Sequence, residues 1–155
     1  MGIEIERKFL VKSDSWRSHA VGKVYRQGYL LSDQGRTVRV RVAGDRAFLT
    51  IKGPSTGLSR AEFEYEIPPS DAEEILRSLC VSSIIEKTRY KLPIGNLVWE
   101  IDEFMGANAG LILAEVELQD EQQAIALPDW IGKDVSGDRR YFNSYLSQHP
   151  FSQWP

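Results

Sequence analysis

Charged side chains of like sign recur two residues apart along this sequence. The first group is Glu4-Ile5-Glu6-Arg7-Lys8, and two later groups are Arg39-Val40-Arg41 and Glu115-Val116-Glu117. Because side chains alternate across a β-strand, residues i and i+2 share one face at a spacing of roughly 7 Å. Like charges at that spacing repel each other unless an ion of opposite sign lies between them. Carboxylate pairs therefore indicate a cation site, and Arg or Lys pairs indicate an anion site.

Both signs are represented on these charged faces. The basic members are Lys8, Arg39, Arg41, Lys52, Lys87 and Arg89, and the acidic members are Glu4, Glu6, Glu62, Glu64, Glu115 and Glu117. If the strands bring the two sets together, the space between them suits a chain of phosphates bridged to the carboxylates by divalent cations. Oxygen ligands favour Mg²⁺ or Mn²⁺ over zinc. The alternative is an ordinary antiparallel sheet with one solvated face, which gives the same alternation.

The sequence offers no obvious nucleophile or histidine base. Cys80 lies at helical spacing with Ile75 and Leu76, which is typical of a core residue. His19 and His149 lie outside the alternating segments, and there is neither a Walker-type glycine-rich loop nor a Gly-x-Ser-x-Gly elbow. These observations favour a mechanism in which Arg and Lys neutralise phosphate charge and a metal activates water.

Alternation with period two predicts the strands that must position these residues. Eight are expected, near residues 3–11, 24–31, 37–43, 47–53, 61–67, 84–92, 97–104 and 112–118. Short turn segments between them favour antiparallel pairing, and a barrel of eight strands can hold one small ligand. Three helices are also predicted, over 70–80 with a Ser70-x-x-Glu73 capping box, over 120–126 and over 138–147.

Length and composition limit the class of protein. The 155 residues suit a single domain spanning 1–155, and a net charge of -3 without long basic runs predicts no nucleic-acid partner. A single cysteine excludes an internal disulfide and fits a reducing, cytoplasmic compartment. The charged first residues do not form a signal peptide, and no run of 18 apolar residues predicts a membrane span. The oligomeric state, including a homodimer, stays open.

The opening Glu4-x-Glu6-x-Lys8 resembles the signature of the triphosphate tunnel metalloenzymes, also called the CYTH superfamily. The later pieces follow in the family's order, and they include Thr50-Ile51-Lys52-Gly53, Glu86-Lys87-Thr88-Arg89-Tyr90 and Asp138-x-Arg140-Tyr141. The resemblance covers nearly the whole chain. It implies a mainly β, eight-stranded antiparallel barrel, a tunnel with a few flanking helices that binds triphosphate and a divalent metal.

The resemblance also implies residue roles. Glu4, Glu6, Glu115 and Glu117 match metal ligands, with Glu62 and Glu64 as further acids of the lumen. The basic set matches the phosphate clamp, and Arg139 or Arg140 matches a basic position near a closing terminal helix, although Phe142 stands where relatives often have another basic residue. The catalytic residues it implies are Lys8, Tyr29, Lys52 and Lys87.

Several activities occur in this superfamily. The compact chain and the segment Arg26-Gln27-Gly28-Tyr29-Leu30 are most similar to short bacterial inorganic triphosphatases, so hydrolysis of inorganic triphosphate by metal-activated water is expected. One alternative is a class IV adenylate cyclase, which would convert ATP to cyclic AMP and pyrophosphate. Another is a non-catalytic sensor that binds polyphosphate or a nucleotide.

Overall fold

A computed structural model describes residues 2–155, and antiparallel strands dominate it. The strands are β1 (Ile3–Val11), β2 (Val21–Asp33), β3 (Arg36–Ala43), β4 (Arg46–Lys52), β5 (Ser59–Ile67), β6 (Ile85–Ile94), β7 (Leu97–Phe104), β8 (Ile112–Glu117) and β9 (Ile131–Asp134). The two α-helices are α1 (Pro69–Ser78) and α2 (Asn143–Leu146).

The first eight strands close into a barrel. Their order is β5-β4-β3-β2-β6-β7-β8-β1, and β1 also pairs with β5 through Ile3↔Ala61, Glu4↔Arg60 and Ile5↔Ser59. The predicted eight-stranded antiparallel barrel is therefore confirmed. The ninth strand, β9, pairs with β1 from Phe9 onwards and was not predicted. Its four residues, Ile-Gly-Lys-Asp, are too few to show a clear period of two.

The helix predictions were only partly correct. Helix α1 is confirmed, but the predicted capping box is wrong, because Pro68 occupies the N-cap and Pro69 the first turn. Residues 120–126 are not helical; Asp120 accepts a hydrogen bond from the Gln122 amide in a tight turn. Seven residues with one apolar side chain against the core are too short for a stable helix. The segment 138–147 forms a 3₁₀ turn and then α2, interrupted by the extended backbone of Phe142.

Apolar side chains pack outside the barrel wall and close one end of its interior. On the outer face, Phe9, Trp99 and Val116 pack under Trp16 and Trp130. Helix α1 covers the outer face of β3 and β4 in the same way. A third cluster contains inward positions of β6, β7 and β8, where Ile85, Phe104 and Leu113 meet Leu146 of α2. Most of the remaining inward positions are charged or polar, so the barrel encloses its polar face.

The predicted environments of the two histidines and the cysteine are confirmed. His19 and His149 are exposed, and Cys80 is partly buried in the cluster under α1, where burial raises the pKa of its thiol. None of the helices in residues 2–155 is long and apolar enough to cross a bilayer.

Candidate active site

The barrel lumen holds a cavity of about 350 Å³. All of the basic and acidic residues singled out on the alternating faces line it, and Tyr29 lines it too. Alternation explains this, since these residues occupy the inward positions of their strands. Lys8, Lys87 and Arg89 are each less than 9% exposed, which rules out an ordinary solvated face for these residues.

Asp102 of β7 is the acid at the centre of the buried cations. Its side chain is 1% exposed, and its carboxylate accepts from Arg89 Nε at 2.7 Å, from Arg89 Nη2 at 2.8 Å and pairs with Lys87 Nζ at 2.7 Å. Burial opposes ionisation, but Arg89 and Lys87 outweigh it, so the pKa of Asp102 is lowered. Asp102 is not among the residues predicted for the site, although its position two residues after Glu100, on the same face of β7, was an available signal.

Lys87 has an environment that weakens its charge. Burial, with the neighbouring Arg89 and Arg41, lowers its pKa to about 7 despite the attraction of Asp102. Its Nζ also donates to Asn143 Oδ1 at 2.9 Å. A pKa of about 7 leaves the lysine able to gain or lose its proton near neutral pH, and an anion in the cavity would favour its protonated form.

Two other lysines contact different parts of the site. Lys52 Nζ lies between Glu4 and Glu62, at 3.0 Å and 3.3 Å from their carboxylate oxygens. Lys8 Nζ donates to the Tyr141 carbonyl at 3.1 Å and lies 3.9 Å from Glu115. The side chain of Lys8 therefore contacts the C-terminal segment, whereas that of Lys52 contacts acids of β1 and β5.

Arg39 and Arg41 of β3 have few hydrogen-bond acceptors in the lumen. Arg39 Nη2 donates to Thr50 at 3.2 Å, but its buried Nε has no acceptor within residues 2–155. Arg41 Nε donates to the neutral Gln27 amide oxygen at 2.8 Å. Buried donors without acceptors are costly, so the lumen is suited to an anion that accepts from them.

The carboxylate oxygens of the lumen are ligands of the type that hard divalent cations prefer. Glu6 and Glu117 are directly opposite each other across β1 and β8. Burial, Glu115 and Glu4 raise the pKa of Glu6 well above its ordinary value, and burial with Glu4 and Glu62 raises that of Glu117. Crowded oxygen ligands of this kind suit a divalent ion. In the described part of the chain, however, no three potential ligands form a ready-made metal cluster. A cation would have to draw the carboxylates together.

The other predicted residues have different positions. Arg139 and Arg140 are exposed on the 3₁₀ turn, outside the cavity lining, and Arg140 pairs with Asp138 at 2.6 Å. They would reach substrate only if this segment moved. Tyr29 is 4% exposed, and its hydroxyl lies 3.4 Å from Gln27 Nε2. Glu64 accepts from Thr50 at 2.8 Å, on the Arg39 side of the lumen.

The site also contains neutral residues that sequence reasoning missed. Gln27 is fully buried and its Nε2 donates to Asn143 Oδ1 at 3.1 Å, so Gln27 links Arg41 to the terminal helix α2. Tyr25 and Phe142 line the cavity beside clamp cations. Charge patterning could not identify Gln27 and Tyr25, because they are uncharged, and Phe142 was noted only as a position where relatives often have a basic residue.

A closed antiparallel barrel that encloses both a basic anion clamp and facing carboxylates defines the class of triphosphate tunnel proteins. Comparison with known sequences agrees with this assignment. The chain belongs to the CYTH domain family, whose model matches residues 2–142. Membership of this family implies dependence on a divalent metal ion.

Similar proteins include two inorganic triphosphatases. That of Acetivibrio thermocellus is 52% identical over 154 residues, which cover 99% of each chain. That of Nitrosomonas europaea is 41% identical over 150 residues, covering 93% of this chain and 96% of the relative. A crystal structure of an inorganic triphosphatase superposes with a TM-score of 0.65 at 33% identity, covering 92% of this chain and 96% of the other.

Proposed function

We propose that this protein is an inorganic triphosphatase, which hydrolyses tripolyphosphate to pyrophosphate and phosphate with Mg²⁺ or Mn²⁺. The observation that carries the proposal is the enclosed lumen, in which buried and half-buried cations from β1, β3, β4 and β6 surround one cavity together with facing carboxylates. The two similar triphosphatases support the same reaction, because they match this chain over nearly its whole length.

The chain's own residues account for binding. Arg39, Arg41 and Arg89 provide guanidinium groups with several donors each, which suit phosphate oxygens. Lys8, Lys52 and Lys87 add point charges on other sides of the cavity. With Tyr29, these three lysines form the proposed catalytic set, in which the lysines stabilise the charge that develops on the leaving pyrophosphate. Arg139 and Arg140 are not part of this proposed clamp.

The proposed metal ligands are Glu4, Glu6, Glu115 and Glu117, with Glu62 as a further acid near Lys52. When bound, a divalent cation neutralises phosphate charge and makes a coordinated water more acidic. These carboxylates would hold the cation beside the bound phosphates. A bound cation would relieve the repulsion among the carboxylates and between the carboxylates and the phosphates. Metal and substrate should therefore each favour the binding of the other.

The lumen has few groups to recognise a nucleoside. Four aromatic side chains line the cavity, and they are Tyr25, Tyr29, Phe48 and Phe142. For three of them a cation already lies over the ring: Arg41 and Arg89 over Tyr25, Arg46 over Phe48 and Lys8 over Phe142. Three of the four tryptophans, Trp16, Trp99 and Trp130, are buried in the outer core. A nucleoside attached to the triphosphate would therefore gain little binding energy that could lower the barrier.

Metal dependence is the first expected result. Purified protein should release phosphate from tripolyphosphate when Mg²⁺ or Mn²⁺ is added, and excess chelator should stop release, because the carboxylates otherwise repel the substrate. Ca²⁺, which is larger and coordinates more loosely, should bind without supporting turnover. Colorimetric phosphate release measures this. Full turnover in chelator would contradict the metal's role, and saturable binding without turnover under any metal would favour the non-catalytic sensor.

Substrate preference is the second expected result. The value of kcat/KM for tripolyphosphate should exceed those for ATP and thiamine triphosphate by at least about 10-fold, because the cavity binds phosphates and little else. Reaction in ¹⁸O-labelled water should place the label in the released phosphate. Cyclic AMP as the main product from ATP, at an efficiency equal to tripolyphosphate hydrolysis, would instead identify an adenylate cyclase.

The proposal also includes a location in the cell. A cytoplasmic location is expected for an enzyme whose only cysteine is a free thiol.

A further inference from the structure

Arg41 differs from the other cations of the clamp in its partners. Each of the others has a carboxylate oxygen within 4.0 Å, and these cations are Lys8, Arg39, Lys52, Lys87 and Arg89. Within residues 2–155, Arg41 has no such carboxylate. Its Nε instead donates to the amide oxygen of Gln27 at 2.8 Å. Arg41 is therefore held in place without being neutralised.

The second neutral group beside Arg41 is the ring of Tyr25, on β2. The guanidinium carbon of Arg41 lies 5.0 Å from the ring centroid, and that of Arg89 lies 5.2 Å from the same centroid. Tyr25 is 7% exposed, so the ring is largely shielded from water. An aromatic face attracts cations through its quadrupole and carries no net charge. One ring thus contacts two arginines that repel each other.

We propose that Tyr25 is a positioning residue of the oligophosphate clamp, whose ring holds Arg41 and Arg89 and leaves the charge of Arg41 to be balanced by substrate. The inference rests on the proposed function, because it takes the cavity to be an oligophosphate site. A carboxylate in the place of the ring would hold the arginines as firmly. It would also cancel the charge that the substrate needs.

The electrostatics of Arg41 support this role. Burial, followed by repulsion from Arg39 and Arg89, lowers the pKa of Arg41 to about 10. These guanidinium groups would separate if nothing held them. Gln27 and Tyr25 both come from β2, whose residue Gln27 is the cross-strand partner of Arg41, so the same strand provides both neutral contacts.

The test compares Tyr25→Leu with Tyr25→Phe. Loss of the ring should raise the Kd of pyrophosphate in Mg²⁺, measured by calorimetry, by about 10-fold, the effect of one desolvated cation–π contact. The KM for tripolyphosphate should rise in parallel, with kcat changed by less than about 3-fold, since Arg41 binds ground and transition states alike. Tyr25→Phe keeps the ring and should restore both constants to within about 2-fold of wild type.

Gln27→Glu provides a second variant that does not depend on loss of a buried ring. It keeps the side-chain size but places a carboxylate at Arg41, so pyrophosphate binding should weaken by about 10-fold through neutralisation. Unchanged binding in either folded variant, Tyr25→Leu or Gln27→Glu, would overturn the inference. Equal losses in Tyr25→Phe and Tyr25→Leu would assign the effect to the hydroxyl and overturn it too.

A matched control is Tyr90→Leu. Tyr90 lies outside the cavity against Trp16, with ring centroids 5.0 Å apart, so its loss should lower the Tm and leave pyrophosphate binding unchanged. The pyrophosphate measurement also separates this inference from the proposed function. A wild-type protein that binds pyrophosphate without hydrolysing tripolyphosphate would contradict the function, and the Tyr25 comparison would still be decisive for the clamp.

Discussion

Glu117→Gln is expected to lower metal-dependent kcat for tripolyphosphate by about 100-fold or more while the barrel remains folded. The substitution keeps the shape of the side chain and removes one ligand charge from the site formed with Glu6. Replacing even the groups that merely support metal ligands costs about 10- to 100-fold in many metalloenzymes, so loss of a ligand should cost at least the upper value. Initial-rate assays across a Mg²⁺ titration measure it.

Stability should respond in the opposite direction. Burial and the carboxylates Glu4 and Glu62 raise the pKa of Glu117, which indicates that its charge is unfavourable in the metal-free barrel. Its removal should leave the Tm of the metal-free protein equal or higher, as measured by thermal circular dichroism. Glu86→Gln, at an exposed position outside the lumen, is the matched control and should change neither quantity. Wild-type kinetics in Glu117→Gln would show that Glu117 does not bind the metal.

Asp102→Asn is expected to destabilise the protein by about 3 kcal/mol, the lower end of the range for breaking a buried ion pair. The variant leaves Lys87 and Arg89 without the carboxylate that contacts both. The cost should stay near the lower end because Arg89 retains Glu115 at 3.0 Å and Lys87, whose pKa is about 7, can lose its proton. The Tm should fall by about 6–12 °C.

The pH dependence of this loss follows from the lowered pKa of Asp102. A carboxylate whose pKa is lower in the folded state than in the unfolded state stabilises fully above the unfolded value, near 3.8, and loses that contribution as the pH falls through the folded value. Urea unfolding should therefore show a large difference between wild type and variant at neutral pH, and a smaller one well below pH 3.8. Equal stability at neutral pH would contradict the assigned role of Asp102.

Asp33→Asn is the matched control for Asp102→Asn. Asp33 pairs with Arg36 at 3.4 Å, but both side chains are more than half exposed. Exposed pairs contribute little because water and salt screen them, so this substitution should leave the Tm nearly unchanged. If Asp33→Asn lowered the Tm as much as Asp102→Asn, burial of the ion pair would not be the cause of the destabilisation by Asp102→Asn.

The sequence by itself determined the strand pattern and the main charged faces of the lumen. Strand alternation is a local property, since each side chain points to the face opposite that of its neighbour, and Glu4, Glu6 and Lys8 could therefore be assigned to one face without knowing any partner strand. Repetition of this pattern over eight segments, with short turns, was enough to predict an antiparallel barrel. Prediction failed where the local signal was short, as in β9 and at residues 120–126.

Only the tertiary structure decided which charges neutralise each other and which remain for a ligand. The sequence gives no reason to prefer Asp102 over Glu100 as the central acid, because both share one face of β7. Closure of the barrel buries Asp102 between Lys87 and Arg89, whereas Glu100 stays partly exposed. It also places Tyr25 and Gln27, uncharged in sequence, against Arg41. The pairings depend on the cross-strand register of β2 with β3 and of β6 with β7, and single-strand alternation does not encode that register. Their enclosure depends on closure between β1 and β5, which are far apart in the chain.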